Sequence, residues 1–268
     1  MASRSGLRLP ADGLVFLAVP DGAVVETAER IAKMRPAEGI AFVHVSGAHG
    51  LGALEPLRAH EIGSFHPLQS FPAPRDPSAF RGITVAVDAS TPALMRRLRA
   101  LARAIGARPR HVTDRERVLY HAAAVFASNF LDVVVWEGVR ILMELGWTEA
   151  ESTAALVPLV EGAVANIRRR GTVGALTGPI RRGDAETVRL HLEALRRVRH
   201  SPSLSVPRRG AAPMNGEEPS HIYRMLALVA LEIARQAGLD PAAAERTRKT
   251  LVTRALTPDV AATRRRKR

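Results

Sequence analysis

Leu14-Val15-Phe16-Leu17-Ala18-Val19, followed at once by Pro20-Asp21-Gly22, decides how the front of this chain is read. A short, continuous apolar run stopped by turn formers has the length and composition of a strand buried on both faces. The period then changes. Val24, Val25, Ala28, Ile31 and Ala32 fall on one side and Glu26, Glu29, Arg30 and Lys33 on the other, which predicts an amphipathic helix crossing back over a sheet. Ile40-Ala41-Phe42-Val43-His44-Val45 predicts a second buried strand ended by Ser46-Gly47, and Ile83 to Val87 a further one. A helix over 91–105 has Pro92 in its first turn. Strand, helix and strand with short connections imply a right-handed parallel unit.

Beyond residue 113 the pattern is helical throughout. One long helix is expected from Asp114, as N-cap, to Leu145, with Gly146 just past its end. Thr148-Glu149-Ala150-Glu151 reads as a capping box opening a second helix that runs to about Arg170 and bends at Pro158. Asp184 caps a third helix ending near Arg199, a loop follows over 200–219, and further helices start at Ser220 and at Asp240-Pro241. The expected fold class is α/β over 1–113, a partial parallel sheet, joined to an all-α region over 114–268.

Composition narrows the function classes. The absence of cysteine excludes disulfide scaffolds, thiol nucleophiles and Cys-ligated metal clusters, and makes the cytoplasm the expected compartment. No uninterrupted apolar run of about 18 residues is present, so no membrane association is expected. The net charge is +13, but Lys33, Lys249 and Lys267 are the only lysines, and five charges sit in the tail Arg264 to Arg268. With aromatic residues at 4% and no zinc-finger, RRM or helix-turn-helix pattern, the charge reads as arginine-rich coding and a solvated tail, with no nucleic-acid partner.

Five segments could carry chemistry. Val19-Pro20-Asp21 ends a strand and opens a helix, the edge where ligands bind in open α/β sheets. His44-Val45-Ser46-Gly47-Ala48 ends the next strand, where Gly47 allows close approach to the backbone and Ser46 offers a hydroxyl. His66, within Ser64-Phe65-His66-Pro67-Leu68-Gln69-Ser70-Phe71, reads as part of a polar pocket wall or as a structural histidine. In Tyr120-His121-Ala122-Ala123-Ala124-Val125-Phe126-Ala127-Ser128-Asn129, His121 and Ser128 fall within about 20° of one another on a helix and Asn129 about 80° away. That polar strip among alanines suits a flat ligand or a packed helix. Gly174 to Asp184, with Thr177, Gly178, Pro179, Arg182 and Asp184, is dense in donors and able to bind an anion, or is a plain interhelical turn.

Taken in order, VPD after a buried strand, HVSGA, FHPLQSF, YHAAAVFASNF and ALTGPIRRGDAETVRLHLEAL resemble the Rossmann-like family with a C-terminal helical domain of unknown function 2520. The resemblance covers most of residues 14–200, and that family is similar in design to pyrroline-5-carboxylate reductase, ketopantoate reductase and 6-phosphogluconate dehydrogenase. It implies an NAD(P)-dependent oxidoreductase acting on a small-molecule substrate, with NADP or NAD as cofactor and a homodimer formed through the helical domain. By the same resemblance, Val19, Pro20 and Asp21 lie along the cofactor, with Ser46, Gly47 and His66 near the nicotinamide. Tyr120, His121 and Asn129 face it as catalytic residues, and Thr177, Gly178, Pro179, Arg182 and Asp184 close the cleft over the substrate.

The chain departs from that family at its front. No G-x-G-x-x-G precedes Leu14, where Gly6 and Gly13 stand alone, so roughly three strands of the dinucleotide fold are missing. A gene start placed too far downstream is the expected reason; the other two are an edge paired with another subunit and a lost cofactor site. Two further functions fit the residues. One is a non-catalytic dimeric binding or scaffold protein, and the other a metal-dependent hydrolase using His44, His66, His121, His191 and Asp184, although no H-x-x-x-H pair exists.

Overall fold

The computed structural model describes residues 8–198 and 219–253; Gly6, most of the expected 200–219 loop and the Arg264 to Arg268 tail lie outside them. The chain forms two compact units, one up to Asp132 and one from Val133. That division falls inside the long helical stretch, whereas the change from strands to helices comes at Thr113.

The first unit is built on a five-stranded sheet in the order β1-β2-β3-β4-β5, with β1 at Asp12–Leu17, β2 at Gly39–His44, β3 at Glu61–Pro67, β4 at Thr84–Ala89 and β5 at Arg108–His111. β1 to β3 are parallel, β4 runs antiparallel to β3, and β5 is parallel to β4. Both faces are covered. Ile40 and Phe42 of β2 pack with Val24, Ala28 and Ile31 of helix α1 (Val24–Lys33) and with Leu54 and Leu57 of a 3-10 turn. Ala41 and Val43 face the other way, onto Val85, Val87 and the Leu94 and Leu98 side chains of α2 (Pro92–Ala104). A strand with helices on both sides must be apolar at every position, which is why β2 reads as a continuous run.

Several expectations change here. The 14–19 run forms β1 two residues earlier than expected, and β1 is an edge strand in which only Leu17 is buried and Phe16 stays 38% exposed. β3 occupies the segment read as a pocket wall. β5, Arg-Pro-Arg-His, has no apolar pattern at all, and its Pro109 is tolerated because the strand lies at the sheet edge.

The long helix is two helices, α3 (Asp114–Ala127) and α4 (Asn129–Met143), broken at Ser128, whose φ of −122° and ψ of −79° leave the helical region. Ser128 Oγ donates to the Ala124 carbonyl, a side-chain bond that competes with the helical ladder. The N-cap is Thr113, in a reciprocal box with Glu116, which frees the Asp114 carboxylate to accept from the Leu51 amide at 2.9 Å. The 30-residue stretch Asp114–Met143 is long and apolar enough to cross a membrane by length and composition. Asp132, Glu137 and Arg140 interrupt its apolar residues, so it contains no uninterrupted apolar run of about 18 residues.

In the second unit, α5 (Glu149–Ala175) opens with the expected Thr148–Glu151 box but continues past Pro158 and Arg170. Its irregular residue is Gly171, at φ 69° and ψ 174°, so the kink is placed by a glycine rather than by the proline. α6 (Gly178–Arg182), α7 (Ala185–Arg197), α8 (Pro219–Gln236) and α9 (Pro241–Val252) follow. Val188 and Leu192 of α7, Ala227 and Leu231 of α8, and Ala244 and Leu251 of α9 form their common core.

Candidate functional site

The candidate site lies in the first unit, where β2 and β3 end and α3 begins. Strand register sets His44 opposite Ser64, and the two-residue period of β3 puts His66 on the same face as Ser64. α3 supplies the other wall. Its residues at positions 114, 117, 120 and 121 are three to four apart and so share one side of the helix. Asp114 holds the loop at Leu51, Arg117 Nη2 donates to Ser64 Oγ at 2.5 Å and to the Val112 carbonyl at 3.1 Å, and the Tyr120 hydroxyl meets His66 Nδ1 at 2.9 Å. The His66 and His121 rings lie edge to face, with centroids 6.3 Å apart.

Gly47 sits against both histidines. A Cβ at this position would come within 2.7 Å of His66 Nε2 and of His121 Nδ1, so only glycine leaves room for the two imidazoles. The close approach anticipated at Gly47 is thus made by the protein's own side chains. Ser46 is 4% exposed, and its Oγ accepts from the amides of Ala48 and His49, closing the turn.

Burial decides the protonation states. His44 is lowered to about 4, first by burial and then by the Arg117 charge, and its Nε2–H donates to the Gly50 carbonyl at 3.1 Å. His66 is likewise lowered to about 4 by burial, by His121 and by Arg117, with Asp21 acting in the opposite direction. Burial raises Tyr120, and Arg117 partly offsets this. At neutral pH the site therefore holds two uncharged imidazoles and a protonated phenol. His121 Nδ1 is buried with no hydrogen-bond partner.

Sequence reasoning missed Arg117. It reads as one more charge in Asp114-Arg115-Glu116-Arg117, yet it is the one buried residue of α3. Its spacing of three and four residues before Tyr120 and His121 was the available signal.

The remaining expected residues have other local roles. Val19 packs against the core around β1 and β2, and the Pro20 carbonyl accepts from Ala23 at 2.8 Å in a 3-10 turn, Asp21–Ala23. The Asn129 side-chain amide lies 3.0 Å from Ser128 Oγ. In the second unit Thr177 precedes α6, Gly178 has φ 86°, and the Pro179 carbonyl accepts from the Asp184 amide at 2.9 Å. Asp184 caps α7 by accepting from the Thr187 amide at 3.0 Å and its hydroxyl at 2.7 Å, and these bonds hold its carboxyl below the usual range. Arg182 is exposed, and His191 bonds the Tyr223 hydroxyl at 2.9 Å. Among the described residues no group of three or more His, Asp or Glu side chains is arranged to hold a metal ion.

A diphosphate does not fit the turn after β1. Pro20 has no N–H, and Asp21 places a carboxylate in the first turn, where a diphosphate needs free amides and no negative charge. Among the described residues no other strand-to-helix turn is glycine-rich in the G-x-G-x-x-G sense.

Residues 83–206 match the model of a domain of unknown function, DUF2520. The fold is similar to that of BF3122 from Bacteroides fragilis, a protein provisionally named an NADP oxidoreductase, with TM-score 0.63 and 22% identity over 82% of this chain and 75% of that one. It is also similar to protein TM1727 from Thermotoga maritima, with TM-score 0.64 and 22% identity over 86% of this chain and 81% of that one. No curated protein matches the chain. At this identity the likeness concerns the fold, and together with the domain match it identifies a Rossmann-like α/β protein with a helical C-terminal region that carries DUF2520 sequence across residues 83–206.

Proposed function

We propose that this protein is an oxidoreductase of the nicotinamide-dependent kind, acting on a small molecule that needs a proton as well as a hydride, with NADP or NAD as the cofactor class. The observation that carries this reading is the 2.9 Å bond between Tyr120 and His66 beside His121, at the carboxyl ends of parallel strands. Tyr120 holds a proton at neutral pH, His66 is an uncharged imidazole bonded to it, and His121 adds a second imidazole with an unpartnered nitrogen. Such a set suits polarising and protonating a carbonyl oxygen or imine nitrogen.

The turn after β1 favours a second reading, a non-catalytic dimeric binding protein, because it provides no diphosphate cradle. In both readings we propose that a second copy covers the apolar residues of α3 and α4, where Phe126, Phe130, Val133 and Trp136 are 71%, 46%, 47% and 48% exposed. Calorimetry with NADPH and NADH separates the readings. Micromolar binding of either supports the oxidoreductase; no heat from either, with a solution mass twice the 28.9 kDa of one chain, supports the binding protein.

A further inference from the structure

Arg117 is 0% exposed, and two neutral acceptors, Ser64 Oγ and the Val112 carbonyl, are its hydrogen-bond partners. Its Nε and Nη1 are buried without any partner; among the described residues no carboxylate forms an ion pair with it, and Asp88 and Asp114 act on its charge without direct contact. A guanidinium keeps its charge at any physiological pH, so the first unit contains a permanent buried cation. Packing alone gives no reason for this, since an apolar side chain of similar length would fill the same space without the cost of desolvating a charge.

The surroundings of Arg117 are the site itself. Ser64 is level with His44 across the β2–β3 ladder, and Tyr120, one turn along α3, bonds His66. The groups that act on His66 are Tyr120, His121 and Arg117 from α3, Asp21 from the turn after β1, and His44 from β2. Those that act on His44 are Arg117 and Asp114 from α3, with His49 and the Gly50 carbonyl from the loop after β2. Arg117 is the one permanent cation common to both sets.

We propose that Arg117 is the positioning residue of this site, a fixed buried charge anchored on Ser64 and Val112 that adds to burial in disfavouring the charged forms of His44 and His66 and leaves Tyr120 as the proton-bearing partner of the Tyr120–His66 pair. Protonating either imidazole would set a second cation beside the first in a poorly solvated place. The proton of the pair therefore stays on the Tyr120 oxygen until a bound substrate takes it. This inference rests on the reading of Tyr120 and His66 as the proton-bearing pair.

The test is an NMR pH titration of the His44 and His66 ring signals in the intact chain, which needs no dinucleotide and so fails or succeeds independently of cofactor binding. In the wild type both rings stay neutral down to about pH 4. Arg117→Met raises both midpoints, by about tenfold in proton affinity, and Arg117→Lys, which keeps the charge, leaves them low. Unchanged midpoints in the methionine variant, or equal rises in both variants, overturn the proposal. Should the methionine variant not fold, Arg117→Gln, which also removes the charge, takes its place: raised midpoints support the proposal and unchanged midpoints overturn it.

Discussion

The Tyr120 hydroxyl and His66 Nδ1 meet at 2.9 Å, joining the start of the helical stretch to the end of strand β3 across 54 residues of sequence. Tyr120→Phe removes this bond and leaves a half-buried imidazole nitrogen without its partner. The expected loss is about 1 kcal/mol of stability, read from urea unfolding. If the protein reduces a carbonyl or imine, turnover falls by about a hundredfold or more, because the proton donor is gone. Unaltered stability and unaltered turnover together would remove Tyr120 from the site.

Gly47→Ala is a steric test of the same cluster. The new methyl would stand 2.7 Å from a nitrogen of each of two imidazoles, and one of them must move. A loss of about 1–3 kcal/mol is expected, with displaced ring signals for His66 and His121. Gly52→Ala meets nothing within 4 Å and serves as the control. Equal stability of the two variants would contradict the close packing at Gly47.

Acid sensitivity follows from the buried histidines. His44 and His66 have an ordinary value of 6.5 when the chain is unfolded and about 4 when it is folded. Between those values the unfolded chain binds more protons, so stability is complete above pH 6.5 and falls as the pH drops toward 4. For His44 alone the loss is on the order of 3 kcal/mol. The carboxylates held below their usual range, such as Asp184 and Glu151, begin to matter only at lower pH. Urea midpoints recorded from pH 7.5 downward check this, and a flat profile to pH 4.5 would contradict it.

Asp184 offers a contrast between capping and ligand binding. Its carboxylate is engaged by Thr187 at the start of α7, so Asp184→Ala is expected to cost about 1 kcal/mol and Asp184→Asn much less. Thermal unfolding of the two variants distinguishes them. Equal losses would mean that the carboxylate charge, rather than the cap, is what this position requires.

Most helices and three of the five strands were legible because their signals are local. The alternation that buries Val24, Ala28 and Ile31, the Thr148–Glu151 box and the Asp184 and Asp240 caps each depend on residues within one or two turns. β5 was not legible, since Arg-Pro-Arg-His becomes a strand only by pairing with β4. The break at Ser128 was hidden too, because helical periodicity runs through it.

The sequence by itself determined an α/β front and a helical back, and it singled out Gly47, His66, Tyr120 and His121 through residue type and spacing. Only the tertiary structure decided that these four meet and that Arg117 is buried among them. The reason is physical. Helix and strand periods are set by neighbouring residues, whereas desolvation, close approach and the field of a buried charge depend on atoms brought together from distant parts of the chain. An arginine in a charged run looks solvated until the fold surrounds it.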